Sequence, residues 1–175
     1  MRTIWVTGVS GAGKSAVSRR LSARGHHAVS TDGAAGLCRW VDARGRPVSR
    51  PDHPDRDWLA AHRWVWDPGT LDALIGDQRA AGARVLFLCG GADNALDLAD
   101  RFDRTVLLRL DLDTMLCRLN DPARGNDFGR AGQSRQHLRV TFAGWQRQLA
   151  RHADVIIDAT ADLDTVATRL IRAAG

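Results

Sequence analysis

Short apolar runs alternate with helix-period segments from one end of the chain to the other. Thr3 to Thr7 (Thr-Ile-Trp-Val-Thr) reads as a buried strand, and Ala16 to Arg24, with Val17 and Leu21 on one face, reads as a helix stopped by Gly25. His27 to Ser30 is a second short strand, closed by the polar turn Thr31-Asp32-Gly33. After an irregular stretch, Asp67-Pro68 opens a helix to about Ala81, with Leu71, Leu74 and Ile75 together and Gly82 behind. Arg84 to Cys89 is a continuous apolar strand, Asp93 is placed to cap a helix over 94–101, Arg104 to Leu110 is a strand, and 111–120 is a helix. A long helix over 134–152 carries Leu138, Phe142, Trp145 and Leu149 in register, then come a strand over 153–157 and a helix over 162–174. Strand and helix alternate throughout, which predicts an α/β domain: a parallel sheet with helices on both faces. At 175 residues the chain is expected to form a single domain.

Between the first strand and the first helix stands Gly8-Val9-Ser10-Gly11-Ala12-Gly13-Lys14-Ser15, the pattern G-x-x-x-x-G-K-S. That strand, glycine loop, helix context is what a phosphate-binding loop requires. Glycines let backbone N–H groups converge on an anion, and the helix adds the positive end of its dipole. Gly8, Ser10, Gly11, Ala12, Gly13, Lys14, Ser15 and Ala16 are therefore the expected nucleotide cradle. Lys14 reaches the β- and γ-phosphates and the Ser15 hydroxyl ligates Mg²⁺. In a chain of this composition the pattern arises by chance roughly once in a thousand sequences, before its context is required. Lys14 is also the only lysine, beside 24 arginines. A compact ammonium on a flexible stem suits a phosphate loop in a way that a planar guanidinium does not.

Ligands of open parallel sheets bind at the carboxyl ends of the strands. Asp32, in the turn after the second strand, is accordingly the candidate carboxylate for chemistry, with a water-mediated role at Mg²⁺ open to it. Gly90-Gly91, after the 84–89 strand, offers backbone that can approach a substrate. Residues 34–67 hold four of the six tryptophans and six arginines, which reads as an acceptor-binding insertion, with a hairpin over 37–41 and 46–49 and a helix over 57–66. Trp40 and Trp66 are its candidate substrate-binding residues, since indoles give rigid contact area. The glycine- and arginine-rich loop 121–132 reads as a lid that brings Arg124 and Arg130 over a transferring phosphate.

Composition narrows the picture. No 18-residue apolar run and no signal-peptide pattern occur, so no membrane role and a cytoplasmic location are expected. Cys38, Cys89 and Cys117 show no ligand spacing and read as free thiols. The net charge of +5 is spread along the chain without a basic stripe or aromatic RNA-binding motif, which argues against a nucleic-acid partner.

On its glycine loop, the Asp32 turn, the Gly90-Gly91 strand end, the arginine-bearing lid and the run Ala153 to Thr160, the chain resembles the small P-loop kinases of the shikimate, gluconate and nucleoside-monophosphate kinase group, including small bacterial ATP-binding proteins of this size. The resemblance implies a P-loop NTPase three-layer sandwich, with a five-stranded parallel sheet of order 2-3-1-4-5, a lid and an acceptor-binding insertion. It implies ATP and Mg²⁺, with Arg118 and Thr160 at the adenine, Arg124 on the phosphates and Arg139 facing the acceptor. The Asp-x-Asp turn of shikimate kinases is Ser30-Thr31-Asp32 here, their Gly-Glu-x-x-Phe-Arg segment is absent, and so is the Asp-Gly-x-Pro-Arg turn of adenylate kinases.

The expected reaction is transfer of the ATP γ-phosphoryl group to a hydroxyl of a small molecule, with Lys14, Asp32, Arg124 and Arg130 as catalytic residues. A nucleoside-monophosphate-type kinase or an antibiotic-inactivating phosphotransferase stands as an alternative, and a regulatory ATP-binding or ATP-hydrolysing switch as one from another class. A monomer or a homodimer is expected.

Overall fold

The structure is a computed structural model that describes residues 1–122, 124 and 126–175. Residues 123 and 125 of the expected lid lie outside the described residues. Five parallel strands form the main sheet: β1 (Arg2–Thr7), β2 (His27–Ser30), β6 (Val85–Cys89), β7 (Arg104–Arg109) and β8 (Val155–Asp158). Their spatial order is β2-β6-β1-β7-β8, with the three remaining strands in the insertion. Counted among the main-sheet strands alone, this is the expected 2-3-1-4-5. The apolar central strand β1 is paired on both sides, Val6 opposite Cys89 of β6 and Val106 of β7.

The two-residue period of β1 explains the two cores. Ile4 and Val6 point to one face, where Val17 and Leu21 of α1 (Lys14–Ala23), Met115 of α4 (Leu112–Leu119) and Leu170 of α6 (Leu163–Ala174) cover them. Trp5 points to the other, against Leu71 and Ile75 of α3 (Pro68–Ala80) and Leu149 of α5 (Gly132–His152). Ile4, Trp5 and Val6 are each at most 1% exposed, so a polar change at any of them would unfold rather than retune the protein. Among the described residues no helix is long and apolar enough to cross a membrane.

The insertion departs from expectation. The hairpin forms, as β3 (Cys38–Val41) with β4 (Pro47–Val48), but the 57–66 segment divides. Its first half is α2 (Arg56–Ala61), capped by the Asp55 carboxylate, which accepts from Trp58 N–H at 2.7 Å. Its second half is strand β5 (Arg63–Trp66), antiparallel to β3 with Trp64 opposite Trp40. Arg-Trp-Val-Trp is β-branched and aromatic at strand period, and a cross-strand indole pair outweighs a weak helix preference. The 94–101 helix is replaced by a 3₁₀ turn at Leu96–Arg101, because its expected cap is used elsewhere. The Asp93 carboxylate accepts from Trp64 N–H (2.8 Å), and Asn94 bonds both Trp66 N–H and Trp66 C=O (2.9 Å each). These two side chains continue a ladder that fastens the insertion to the carboxyl end of β6.

Candidate active site

The phosphate loop leaves the carboxyl end of β1 at Gly8. A Cβ there would lie 2.7 Å from the Leu108 carbonyl oxygen and 2.9 Å from Ala12 Cβ, so only glycine fits. Gly11 and Gly13 have φ of +81° and +89°, left-handed values that glycine adopts without strain. Gly13 caps α1 without a side-chain bond, and the first helical bond is Val17 N–H to Gly13 C=O at 2.9 Å. The N–H groups of Lys14, Ser15 and Ala16 thus stand ahead of the helix ladder at its positive end. Ala12 takes part differently: its side chain is core and its N–H closes on Val9 C=O at 3.1 Å. Lys14 Nζ folds back to donate to the Gly8 and Val9 carbonyls, at 2.8 and 3.0 Å. Burial lowers its pKa, against which the Asp32 charge acts. That is a cation short of an anionic partner.

Asp32 lies in the 3₁₀ turn Thr31–Gly33 that follows β2 and lines the same cleft as Lys14. Among the described residues its carboxylate accepts no hydrogen bond. Its charge reaches Cys38, whose thiol burial and Asp32 push up to about 12. Ser30 Oγ donates to Ser15 Oγ at 3.2 Å, filling the place left by the missing outer carboxylate of the turn.

The lid arginines separate. Arg124 is half-buried and donates to Phe128 C=O at 2.8 Å; burial depresses its pKa, while Arg130 repels it and Asp32 and Asp127 attract it. Arg130 is exposed and donates to the lid's own carbonyls, at Arg124 (2.9 Å) and Asp121 (3.4 Å). Arg124 therefore shares the electrostatic neighbourhood of Lys14 and Asp32, and Arg130 braces it from behind.

Beyond Asp32 the cleft, about 520 Å³ in all, opens into an aromatic chamber. Trp40 and Trp64 face it with centroids 5.6 Å apart, and Phe128 lies 6.1 Å from Trp40. Phe142 and Trp145 of α5 form the opposite wall. Three expected substrate residues are elsewhere. Trp66 is 1% exposed and packs edge-on to Trp5 at 6.0 Å: it shares a strand face with Trp64, but it stands at the end of β5 that meets the main core, while Trp64 lies one pair further out along the strand. Arg139 is exposed and does not line the cleft; at 3.6 residues per turn it falls off the Leu138–Phe142–Trp145 row. Gly90 faces protein: its carbonyl accepts from Trp5 Nε1 at 3.0 Å, and a Cβ on it would stand 1.6 Å from Thr31 Oγ1. Gly91 does line the cleft. Gly90→Ala is expected to cost about 1–3 kcal/mol by overpacking, measured by urea unfolding; unchanged stability would contradict this packing role.

Asp93 and His137 line the chamber as well, and nothing in the sequence marked them for binding. Asp93 is exposed to the cleft. Partial desolvation by its surroundings raises its pKa, against the Trp64 N–H bond and the charge of Arg63. Burial lowers the pKa of His137, with Asp93 opposing, so the ring is neutral at pH 7. The usable signal was Asp93's position, two residues past Gly91 at the carboxyl edge of β6.

On the other side of the phosphate loop, Arg118 donates to Ala159 C=O at 2.7 Å and lies 3.8 Å from the point where a Gly13 Cβ would be. Thr160 N–H and Oγ1 both bond Asp158 Oδ1, fixing the turn after β8. Arg118 is thus beside the cradle, and Thr160 follows its partner Ala159 in the chain. Among the described residues no group of three or more His, Cys, Asp or Glu is placed to hold a metal ion. One hydroxyl at a phosphate loop nevertheless suits Mg²⁺, which keeps several waters and takes phosphate oxygens as ligands.

No protein-family model and no curated protein sequence matches the chain. Among solved structures it is similar to shikimate kinase from Acinetobacter baumannii in complex with shikimate, at TM-score 0.60 and 14% identity over 99% of this chain and 92% of that one. Shikimate kinase from Bacteroides thetaiotaomicron gives 0.56 and 15%, covering 98% and 97%. Deoxyadenosine kinase from M. mycoides with bound dATP gives 0.50 and 13%, covering 98% of each. The chain has the fold of these P-loop kinases.

Proposed function

We propose that the protein is an ATP-dependent phosphotransferase that moves the γ-phosphoryl group to a hydroxyl of a small molecule. The observation that carries this reading is that Lys14 and Asp32 open onto one cleft whose far half is a walled chamber. A cradle alone serves any nucleotide switch; a chamber continuous with it, with a carboxylate between, serves an acceptor.

The loop N–H groups and Lys14 hold the β- and γ-phosphates, and Arg118 and the Thr160 turn bound the base. Mg²⁺ on Ser15 supplies charge neutralisation when bound. Asp32 orients the acceptor hydroxyl and takes its proton as the new P–O bond forms. The bond between the γ-phosphorus and the β–γ bridging oxygen breaks, and ADP leaves. Such a transition state needs positioning and charge stabilisation above all, and Arg124, whose charge is felt by Lys14 and Asp32, is the lid arginine assigned to the equatorial oxygens. Arg124→Ala should cut kcat about 10²-fold and Arg130→Ala distinctly less, compared at saturating ATP. Equal losses would remove the distinction drawn between them.

A nucleotide acceptor fits poorly, since Asp32 and Asp93 would repel its phosphate and the chamber's Arg50 is held by Asp127 at 2.8 Å. An antibiotic-modifying enzyme of the same chemistry is compatible with the aromatic walls. The test is transfer of label from γ-labelled ATP over a panel of sugars, nucleosides, nucleotides and aminocyclitols. A kinase shows slow hydrolysis alone and labelled product with its acceptor. Hydrolysis that no acceptor diverts would favour a switch.

A further inference from the structure

We propose that the acceptor is cationic: a hydroxyl compound with an ammonium group on a flat apolar body, the ammonium seated at Asp93 and the hydroxyl at Asp32. This rests on the phosphotransferase reading and narrows its substrate class.

The chamber's unpaired charge is negative although the chain as a whole is +5. Asp93 uses one carboxylate oxygen, Oδ2, to accept from Trp64 N–H; Oδ1 accepts no hydrogen bond among the described residues. Arg63 on β5 lends it a favourable field but closes no ion pair with it among the described residues, and the His137 ring on α5 is neutral. Asp32 likewise accepts no hydrogen bond among them. A carboxylate oxygen that opens into an aromatic chamber without a protein donor is matched by a donor or a cation on the ligand. The cations at the cleft are already committed: Lys14 to the phosphate loop and Arg50 to Asp127.

The walls point the same way. Trp40 is packed by Trp64 and by Trp58, centroid distances 5.6 and 4.9 Å, and Phe128 completes the cluster. Faces of indole and phenyl rings attract cations. Phe128 already carries one, the Arg50 guanidinium 5.7 Å from its centroid. An anionic acceptor would meet two carboxylates and a set of π faces here. A neutral polyol can donate to the Asp93 oxygen but leaves its charge uncompensated and the aromatic faces unmatched. An amino alcohol with a flat body satisfies both.

The test is calorimetric titration of the protein saturated with MgADP, using two matched pairs and one anion. The pairs are 2-amino-1-phenylethanol with its N-acetyl amide and tryptophanol with its N-acetyl amide; mandelate supplies a carboxylate on the phenyl-carbinol frame. In both pairs the amine should bind at least about tenfold more tightly than the amide, with mandelate weakest. Asp93→Asn should erase that preference by weakening the amine alone, and its heat with MgADP reports whether the variant has folded. The proposal is overturned if amide or mandelate matches the amine, if neither amine gives heat, or if Asp93→Asn keeps the preference. Phosphorylation of neutral alcohols without an amine preference would sink this proposal and leave the phosphotransferase reading in place. Absence of heat with MgADP itself would remove that reading, and this one with it.

Discussion

Lys14→Ala should lower kcat for phosphoryl transfer by about 10³-fold or more while the protein stays folded. The size of the effect follows from what else could replace the ammonium. Lys14 is the only lysine in the chain, and Arg118 is engaged with Ala159 C=O on the base side of the loop. Among the described residues Lys14 Nζ bonds the two loop carbonyls, and burial depresses its pKa. Its position is thus held at a cost that a polyphosphate would reverse, so truncation removes little native-state stability. A shift in thermal midpoint of no more than about 2–4 °C is expected, the equivalent of roughly 1 kcal/mol in a domain of this size. Steady-state turnover beside a melting curve checks both halves, and a variant with normal turnover would show that the loop does not carry the chemistry.

Asp32→Asn should lower kcat on the best acceptor by about 10²–10⁴-fold while leaving affinity for MgADP within a few-fold. The amide keeps size and hydrogen-bonding capacity but cannot take a proton. Asp32 is not part of the cradle; its turn is held from the other side, by Thr31 packed on Gly90 and by Ser30 bonded to Ser15. Slow hydrolysis in the absence of acceptor should persist, because water needs no base at the chamber mouth to reach the γ-phosphorus. Turnover with and without acceptor, at saturating ATP, separates the two activities. Full turnover by the variant would mean that the acceptor hydroxyl is oriented by something else, and Asp93 would be the next carboxylate to examine.

Much of the fold was legible because the chain's periods are clean. The apolar runs Val85–Cys89 and Val106–Leu108 and the one-sided helices around Leu71 and Leu138 leave little choice but a doubly covered parallel sheet. The phosphate loop was legible because its glycines answer a local steric demand, seen at Gly8 against the Leu108 carbonyl. The chamber was not, because its walls are set by tertiary pairing. In the run Arg63-Trp64-Val65-Trp66 the two indoles share a strand face, and sequence alone does not say that Trp64 meets the cleft and Trp66 the core; the packing of the Trp66 end of β5 against Trp5 decides it. Gly90 and Gly91 are equivalent as residues, yet Thr31 occupies the space over the first and leaves the second open. Asp93 fits the grammar of a helix cap, and only the arrival of β5 turns it into a strand anchor with one oxygen left for the cleft.

The most direct measurement is calorimetric titration of the full chain with a magnesium complex of a non-hydrolysable ATP analogue, run in parallel on Lys14→Ala. A saturable one-to-one heat in the native protein, weakened by about tenfold or more in the variant, is the predicted result. No heat in the native protein, or equal binding by both, would contradict the account at its root.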